Sequence, residues 1–374
     1  MRRYGSAAVL LVILAGCPVT AFAQAGWYLI PSVRLSEVFD DNVFVTPSPQ
    51  QWDFITRLVP RLQGGYRSDP LTLLVDFAPV VEVYARHPDL NNAGEQKHAG
   101  LTFEYLPTRR AKFGLTAGYT ETLTPSILIP DTGVEIGRQS AKGFSAGSSF
   151  SYQFTPGMSG SAVYAYTRNL LSTGPTNQTH DTRLSLTSQL TPVDSGTLIY
   201  HFDLFDSEGL SGSTSSTASA VLAGWTRQLT RSSTLTLRAG PQFAGGTVGA
   251  EAFADSRYEF ESATASLTYS LSRGLLIGET GTVTTNTLSA SVSFEPLRSL
   301  SVTVTPGISR VTSDANAFQE IKTYRLVAAA SYPLARWLTG TVGYQFAFQE
   351  QGSHHLRHGM LSISLDVVYP IRVQ

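Results

Sequence analysis

The sequence predicts an all-β protein, specifically a transmembrane antiparallel β-barrel of about eighteen strands with short turns at one end and longer loops at the other. Three observations support this fold class: apolar and polar side chains alternate, the N-terminus resembles an export signal, and aromatic residues gather near predicted strand ends. The alternation is clearest in residues 288–294, where Leu, Ala, Val and Phe take even positions and Ser takes odd ones. A period of two places one set of side chains on each face of an extended strand.

The composition favours a hydrated interior over an ordinary soluble surface. Charged residues make up 15% of the 374 residues and the formal net charge is −1, whereas a soluble domain usually carries about 25% charged residues. The near-neutral balance gives no indication of a nucleic-acid partner. Beyond the leader, no stretch supplies the ~18 apolar residues that a membrane-spanning helix needs. A β-solenoid would show a repeat of fixed length, which is absent here, and a β-sandwich is usually shorter.

The N-terminal residues have the features of a bacterial export signal. Residues 1–3 are basic at two positions, residues 7–15 are mostly apolar, and residues 21–23 form the small-x-small site that signal peptidase cleaves. This interpretation gives a signal peptide at residues 1–23 and a barrel domain at residues 24–374.

A second interpretation of the leader stays open. The run Leu14-Ala15-Gly16-Cys17 resembles a bacterial lipobox, in which case the lipoprotein signal ends before Cys17 and that cysteine is lipidated. Because Cys17 is the only cysteine, the exported chain forms no internal disulfide under either interpretation.

Short turns alternate with longer polar stretches along the chain. In outer-membrane barrels the short turns face the periplasm and the longer loops face outward. The longest polar stretch is residues 124–140, and a further loop is expected at residues 246–257. The weakest predicted hairpin includes residues 275–283, between a turn expected at 271–274 and a loop expected at 284–286.

The parity opposite to the apolar positions predicts which side chains face the lumen. These side chains are candidates for lining a pore, and they carry both signs of charge. They are Arg34, Arg57, Arg61, Asp76, Glu82, Glu104, Lys112, Arg183, Asp203, Arg238, Arg325 and Asp366. Two interpretations are open: the first three arginines line a constriction for anionic or polyhydroxyl solutes, or the lumen charges pair across neighbouring strands and stiffen the wall.

Three other groups of ionisable residues are weak candidates for a metal, calcium or catalytic site. Three histidines are expected to cluster in the last loop, without the ligand spacing of a metal site: His354, His355 and His358. Three acids are expected in a solvated first loop, without the spacing of a calcium loop: Glu37, Asp40 and Asp41. His201 and Asp203 share the lumen parity, but no nucleophile motif accompanies them. The sequence therefore predicts no enzyme, no cofactor and no metal.

Residues 31–68 resemble the start of a known protein family. The first part runs into Asp41-Asn42-Val43-Phe44, and the following predicted strand contains Pro60. This pattern is similar to the porin-2-type family of outer-membrane β-barrels, whose members are often encoded near exopolysaccharide or capsule assembly genes. The resemblance implies passage of exopolysaccharide through the barrel. The chain departs from the family at its C-terminus, where Tyr369 is followed by five more residues instead of ending the chain.

These observations give three hypotheses about function. The first is a barrel channel that passes exopolysaccharide or another hydrophilic solute by passive conduction. The second is a general diffusion porin, and the third is a structural or adhesive surface protein without transport activity. All three place the chain in the outer membrane of a Gram-negative bacterium. The expected partners are outer-membrane lipid, the barrel assembly machinery and, for export, polysaccharide and periplasmic export proteins.

Overall fold

A single closed antiparallel sheet forms the molecule. The computed structural model describes residues 26–129, 132–209, 212–314 and 320–373. Each long strand pairs with its neighbours in the sequence, and the cylinder closes where the first long strand pairs with the last. The predicted fold class, an antiparallel barrel of eighteen long strands, is confirmed. Among the described residues, no helix has the length and apolar character that crossing a bilayer requires.

The strands are named in chain order. They are β1 (Gly26–Asp40), β2 (Asp53–Arg67), β3 (Leu71–Tyr84), β4 (Asn92–Thr108), β5 (Ala111–Thr122), β6 (Ala141–Thr155), β7 (Met158–Leu171), β8 (Thr176–Gln189), β9 (Asp194–Gly209), β10 (Gly212–Thr230), β11 (Ser233–Ala244), β12 (Thr247–Glu259), β13 (Ala263–Leu275), β14 (Thr282–Leu297), β15 (Leu300–Ser313), β16 (Ile321–Ala335), β17 (Leu338–Gln351), β18 (His354–Val368) and β19 (Ile371–Val373). The end of the barrel where β2 joins β3 is called the turn end, and the opposite end is the loop end.

The outer face of the barrel is apolar. Leu35, Phe77, Leu198 and Val342 lie on this face, and each is about half exposed. In a soluble protein, side chains of this size would be buried. Because the backbone hydrogen bonds are closed around the cylinder and the apolar side chains point outward, the exterior suits contact with lipid.

The buried side chains lie inside the cylinder, mainly toward the loop end. One cluster joins Val38, Val43, Ile55 and Tyr84, from β1, the first loop, β2 and β3. A second cluster of Val134, Leu276, Val283, Val311 and Ile321 joins two inward-folded loops to β14, β15 and β16. In both clusters, apolar side chains of inward-folded loops pack against apolar side chains of the wall. A third buried cluster, of Ile199, Ala220 and Leu222, lies within the wall itself, on β9 and β10.

The sequence predicted the right number of connections but misplaced those around β12 and β13. The loop expected at 246–257 is a tight turn at Gly245 and Gly246, followed directly by β12. The turn expected at 271–274 lies inside β13, and residues 276–281, predicted as part of a hairpin, form a loop. Small residues made β12 look like a loop, but hydrogen bonding to both neighbours is enough to form a barrel strand.

The C-terminus continues the closing seam. Pro370 has no N–H group, so it interrupts the ladder after β18. The chain then resumes pairing as β19, with Trp27 opposite Val373 and Leu29 opposite Ile371. Residues 371–373 of the tail after Tyr369 are therefore part of the sheet.

Candidate pore and its constriction

The inner face of the wall carries the side chains that the sequence assigned to the lumen. All twelve predicted residues occupy inward-facing register positions, as the pairing of Arg57 with Ser36 and Glu82 illustrates. Their side chains fall into two groups: those that pair with another charge on a neighbouring strand, and those with another kind of contact.

One side of the lumen, here named the charged wall, consists of the inward side chains of β18 and β1 to β5. Its cations and acids form pairs between neighbouring strands. The pairs are Arg34–Asp366 at 2.5 Å, Arg57–Glu82 at 2.6 Å, Arg61–Asp76 at 3.3 Å and Lys112–Glu104 at 2.8 Å. This is the arrangement that the wall-stiffening interpretation describes, since each pair ties two strands together.

The other predicted residues have different surroundings. Arg183 pairs with Asp181 on its own strand at 2.9 Å. The guanidinium of Arg238 lies over the ring of Phe253 with 5.3 Å to the ring centroid. Arg325 borders a lumen cavity of about 770 Å³. The remaining predicted residue, Asp203, lies beside His201.

Glu82 is the most heavily engaged charge of the charged wall. It is 2% exposed and accepts hydrogen bonds from Arg57, from the Tyr84 hydroxyl at 2.8 Å and from the Gln96 amide at 2.5 Å. Arg138 lies 3.9 Å away and also donates to the Tyr84 hydroxyl at 2.7 Å. Sequence reasoning missed Arg138, because it belongs to a loop whose direction the alternation pattern does not report.

The loop between β5 and β6 is described at residues 123–129 and 132–140, which turn into the lumen and are named the constriction loop. Polar contacts fasten it to three separate parts of the wall. The Glu135 amide donates to the Gln349 side chain at 2.8 Å, Ser309 donates to the Thr132 carbonyl, and Arg138 reaches Tyr84. Val134 adds an apolar anchor against β14 to β16. The predicted loop at 124–140 is thus present, and it points inward.

The apolar tip of the constriction loop consists of Ile127, Leu128 and Ile129. These side chains border three cavities of about 770, 420 and 400 Å³ on different sides of the lumen. Ile127 is 58% exposed although it lies within the barrel. An apolar segment in the middle of a hydrated passage is a constriction that opposes the entry of water and ions.

The inner face of β13, β14 and β15 is lined mainly by uncharged side chains, in contrast to the charged wall. The inward side chains of these three strands are named the hydroxyl wall. Inward positions in residues 264–272, 285–293 and 303–309 of these described strands hold Ser, Thr and Gly and no ionisable group. Hydroxyl pairs link adjacent strands, such as Ser293 with Thr303 at 2.9 Å. This wall forms much of the cavity of about 770 Å³.

The expected histidine cluster in the last loop is not formed. The connection is a tight turn at residues 352–353, and β18 begins at His354. His355 stacks on Phe348, with 6.0 Å between the ring centroids. His358 points inward and lies between Asp40 at 3.1 Å and Glu135 at 3.4 Å. Strand alternation places His355 on the face opposite to His354 and His358, and the last two are four residues apart along the extended strand.

The expectation of a solvated first loop is also wrong. Asp40 is buried and caps the Asn42 amide at 2.8 Å. Asp41 accepts a hydrogen bond from the Gly359 amide at 2.6 Å. The fully buried Asn42 side chain donates to the carbonyl of Arg357 at 2.9 Å. These contacts fasten the first loop to β18 beside the closing seam.

Two further predictions concern the leader and the surroundings of His201. The signal peptide at residues 1–23 and Cys17 lie outside the described residues. His201 faces three carboxylates, and no serine or threonine hydroxyl hydrogen-bonds to it in the part of the chain that the structure describes.

Comparisons with known proteins relate the barrel to solved structures only. No protein-family profile and no curated protein sequence matches the chain. The barrel is similar to OccAB4 of Acinetobacter baumannii, with a TM-score of 0.50 and 10% identity over 93% of this chain and 99% of that one. It is also similar to OpdO of Pseudomonas aeruginosa, with a TM-score of 0.49 and 13% identity over 93% and 98%. For the outer-membrane protein OpdK of the same organism these values are 0.46, 11%, 91% and 99%.

The fold is that of outer-membrane porins. An eighteen-strand closed wall, an apolar exterior and a polar lumen are the properties of a barrel that spans the outer membrane of a Gram-negative bacterium. The predicted location is therefore supported by the structure, and the turn end corresponds to the periplasmic side.

Proposed function

We propose that this barrel is a passive channel for small hydrophilic solutes, and that the constriction loop sets the width of its path. The main support is that cavities remain in the lumen on several sides of the loop tip. Polar side chains of the wall contribute to the lining of these cavities. Conduction needs groups that replace water around a solute without holding it tightly. Serine and threonine hydroxyls on the hydroxyl wall meet that requirement.

Passage of an exopolysaccharide is a second candidate. The hydroxyl wall favours it because hydroxyl groups can exchange hydrogen bonds with sugars. The resemblance at residues 31–68 suggested the same cargo. The constriction loop favours small solutes instead, because a polymer strand would need this loop to leave the lumen.

Single-channel recording in planar bilayers tests the proposal. The folded full-length protein should give stable conductance steps. The triple variant Ile127→Ser, Leu128→Ser, Ile129→Ser should increase the step size about twofold, because a hydroxylated tip no longer excludes water from the narrow part of the path. Val163→Ser is a matched control, since Val163 faces the lumen on β7 outside the cavities that the tip borders. It should leave the conductance unchanged.

The same recordings separate the candidates. Steps that a neutral dextran or an acidic alginate blocks at low concentration would favour polysaccharide passage. Steps that neither polymer blocks would favour small solutes. A folded protein that gives no steps, in the wild type and in the triple variant, would contradict both candidates and favour a structural or adhesive surface role.

A further inference from the structure

Four ionisable side chains from β8, β9 and β12 meet on the lumen wall, apart from the charged wall. Asp181 and Asp203 are direct register partners on adjacent strands. His201 precedes Asp203 by two residues and therefore shares its face. Nε2 of His201 lies 3.2 Å from the Asp181 carboxylate and 3.1 Å from the Asp203 carboxylate. The three donor atoms all lie within 4.8 Å of one another.

These separations suit a shared metal ion. Ligand bonds of about 2.1 Å place neighbouring donor atoms about 3.0 to 3.4 Å apart in octahedral or tetrahedral coordination. The two nitrogen–oxygen distances fall in that range. The strand register alone brings the three groups together, so no large rearrangement is needed to form the triangle.

The fourth group, Glu251, fixes the imidazole from its other side. Its carboxylate lies 2.9 Å from Nδ1 of His201, although β10 and β11 separate the two strands. The register partners of His201 on β10 and of Glu251 on β11 are the small residues Ala220 and Gly240. A carboxylate that accepts the Nδ1–H bond turns the Nε2 lone pair toward the opposite side, which is the arrangement found behind many histidine metal ligands.

The three carboxylates favour a cation at this point, which is either a protonated His201 or a metal ion beside a neutral His201. Acids directly opposite each other on adjacent strands repel. Asp203 is 4% exposed, and Nε2 of His201 lies 3.1 Å from its carboxylate, a contact that Asp203 shares with Asp181. With a neutral imidazole, Arg183 compensates one of the three carboxylates. A divalent ion compensates the other two.

We propose that Asp181, His201 and Asp203 bind one divalent first-row transition-metal ion, such as Zn²⁺ or Mn²⁺, and that Glu251 orients His201. An imidazole ligand favours these ions over Ca²⁺ or Mg²⁺, and the absence of a thiolate from the set disfavours Cu⁺. The side chain of Asp181 is 24% exposed and that of Arg183 is 52% exposed, so the ion enters from the lumen. This site goes beyond conduction, and the protein could conduct without it.

Titration of the folded, detergent-solubilised full-length protein with Zn²⁺ tests the site, with any affinity tag removed. Calorimetry should give one ion per chain. His201→Ala and Asp203→Asn should each weaken binding by about 100-fold or more, and Glu251→Gln by about 10- to 100-fold, because outer partners of a ligand matter less than the ligands themselves. Co²⁺ bound in place of Zn²⁺ should give visible absorption bands that His201→Ala removes.

His98→Ala is the matched control. His98 also faces the lumen, but among the described residues it makes an ion-pair contact with one carboxylate, that of Asp76 at 3.6 Å. This variant should bind Zn²⁺ like the wild type. Circular dichroism and heat-dependent gel mobility check that each variant is folded. Absence of saturable Zn²⁺ and Mn²⁺ binding by the folded wild type would overturn the proposal, and so would unchanged binding in both His201→Ala and Asp203→Asn.

Discussion

The charged wall and the hydroxyl wall enclose the same lumen, but they satisfy their polar groups in different ways. In the charged wall, each of Arg34, Arg57, Arg61 and Lys112 has a carboxylate on a neighbouring strand. In the hydroxyl wall, neutral side chains hydrogen-bond to each other or face the cavity. The number of charges in a lumen is therefore a poor measure of the charge that a solute meets, because pairing holds those charges to the wall.

The comparison is sharpest at Glu82, where removal of one carboxylate should have the largest effect. Glu82→Ala leaves Arg138, whose side chain is 11% exposed, and Arg57, whose side chain is 37% exposed, without the buried acid that they share. We expect a loss of about 3 kcal/mol in the free energy of unfolding, since removing one partner of a buried ion pair leaves the other charge uncompensated. Urea titration of the folded protein in lipid vesicles measures this loss.

Glu104→Ala is the control for Glu82, because the Glu104 side chain is 41% exposed and pairs only with Lys112. Exposed pairs contribute about 0 to 1 kcal/mol. Equal losses for the two variants would show that the buried pairs of the charged wall contribute no more to stability than exposed ones.

A charge placed in the hydroxyl wall should have a smaller effect on stability and a clear effect on selectivity. Ser289 faces the large cavity, and the strands on either side of it, β13 and β15, carry no inward acid beside it. The acid in its register row, Asp255, lies one strand further away on β12 and accepts a hydrogen bond from Thr268. Ser289→Arg should raise the permeability ratio of anion over cation by about twofold, because an unpaired charge in a narrow path acts on passing ions. Reversal potentials in a salt gradient measure the ratio, with Ser289→Gln as the neutral control. An unchanged ratio would mean that ions do not pass along the hydroxyl wall.

The smallest effect is expected from one hydroxyl pair. Ser293→Ala removes the hydrogen bond to Thr303 between β14 and β15. The expected loss is about 0.5 to 1 kcal/mol, because water in the lumen can replace the missing partner. The same urea titration applies, with Ser272→Ala as control, since the Ser272 side chain makes no hydrogen bond with other described residues. A loss above about 2 kcal/mol would contradict the view that a hydroxyl pair contributes little to stability.

The sequence was sufficient for the class of fold, because alternation reports directly on which face of a strand is apolar. It failed around β12, where Ala252 and Ala254 take outward positions that larger apolar residues hold elsewhere. It also failed at Leu276 and Ile277, whose apolar character suggested a strand, although both are buried in a loop inside the lumen. An apolar pattern predicts that the side chains are removed from water. Local periodicity does not say whether they contact lipid or the interior of the barrel.

The site was less predictable than the fold. Parity placed Arg57 and Glu82 in the lumen, but their contact depends on the register between β2 and β3, which the sequence pattern does not determine. The approach of Glu251 to His201 crosses two intervening strands and depends on the curvature of the whole wall. The constriction loop did carry a signal, because Ile127, Leu128 and Ile129 form an apolar run within an otherwise polar stretch.

The seam between β1 and β18 is the only junction of long strands in the described barrel that no turn or loop connects. It is reinforced at the loop end by Asp41 and Asn42, and at the turn end by β19 beside Trp27. Both ends of the described chain consequently leave the barrel side by side at its periplasmic rim. The cylinder is thus closed by the pairing of β1 with β18, without a chain connection between these two strands. A circularly permuted chain, with these termini linked and a loop-end connection cut, retains every interstrand pairing that defines the wall.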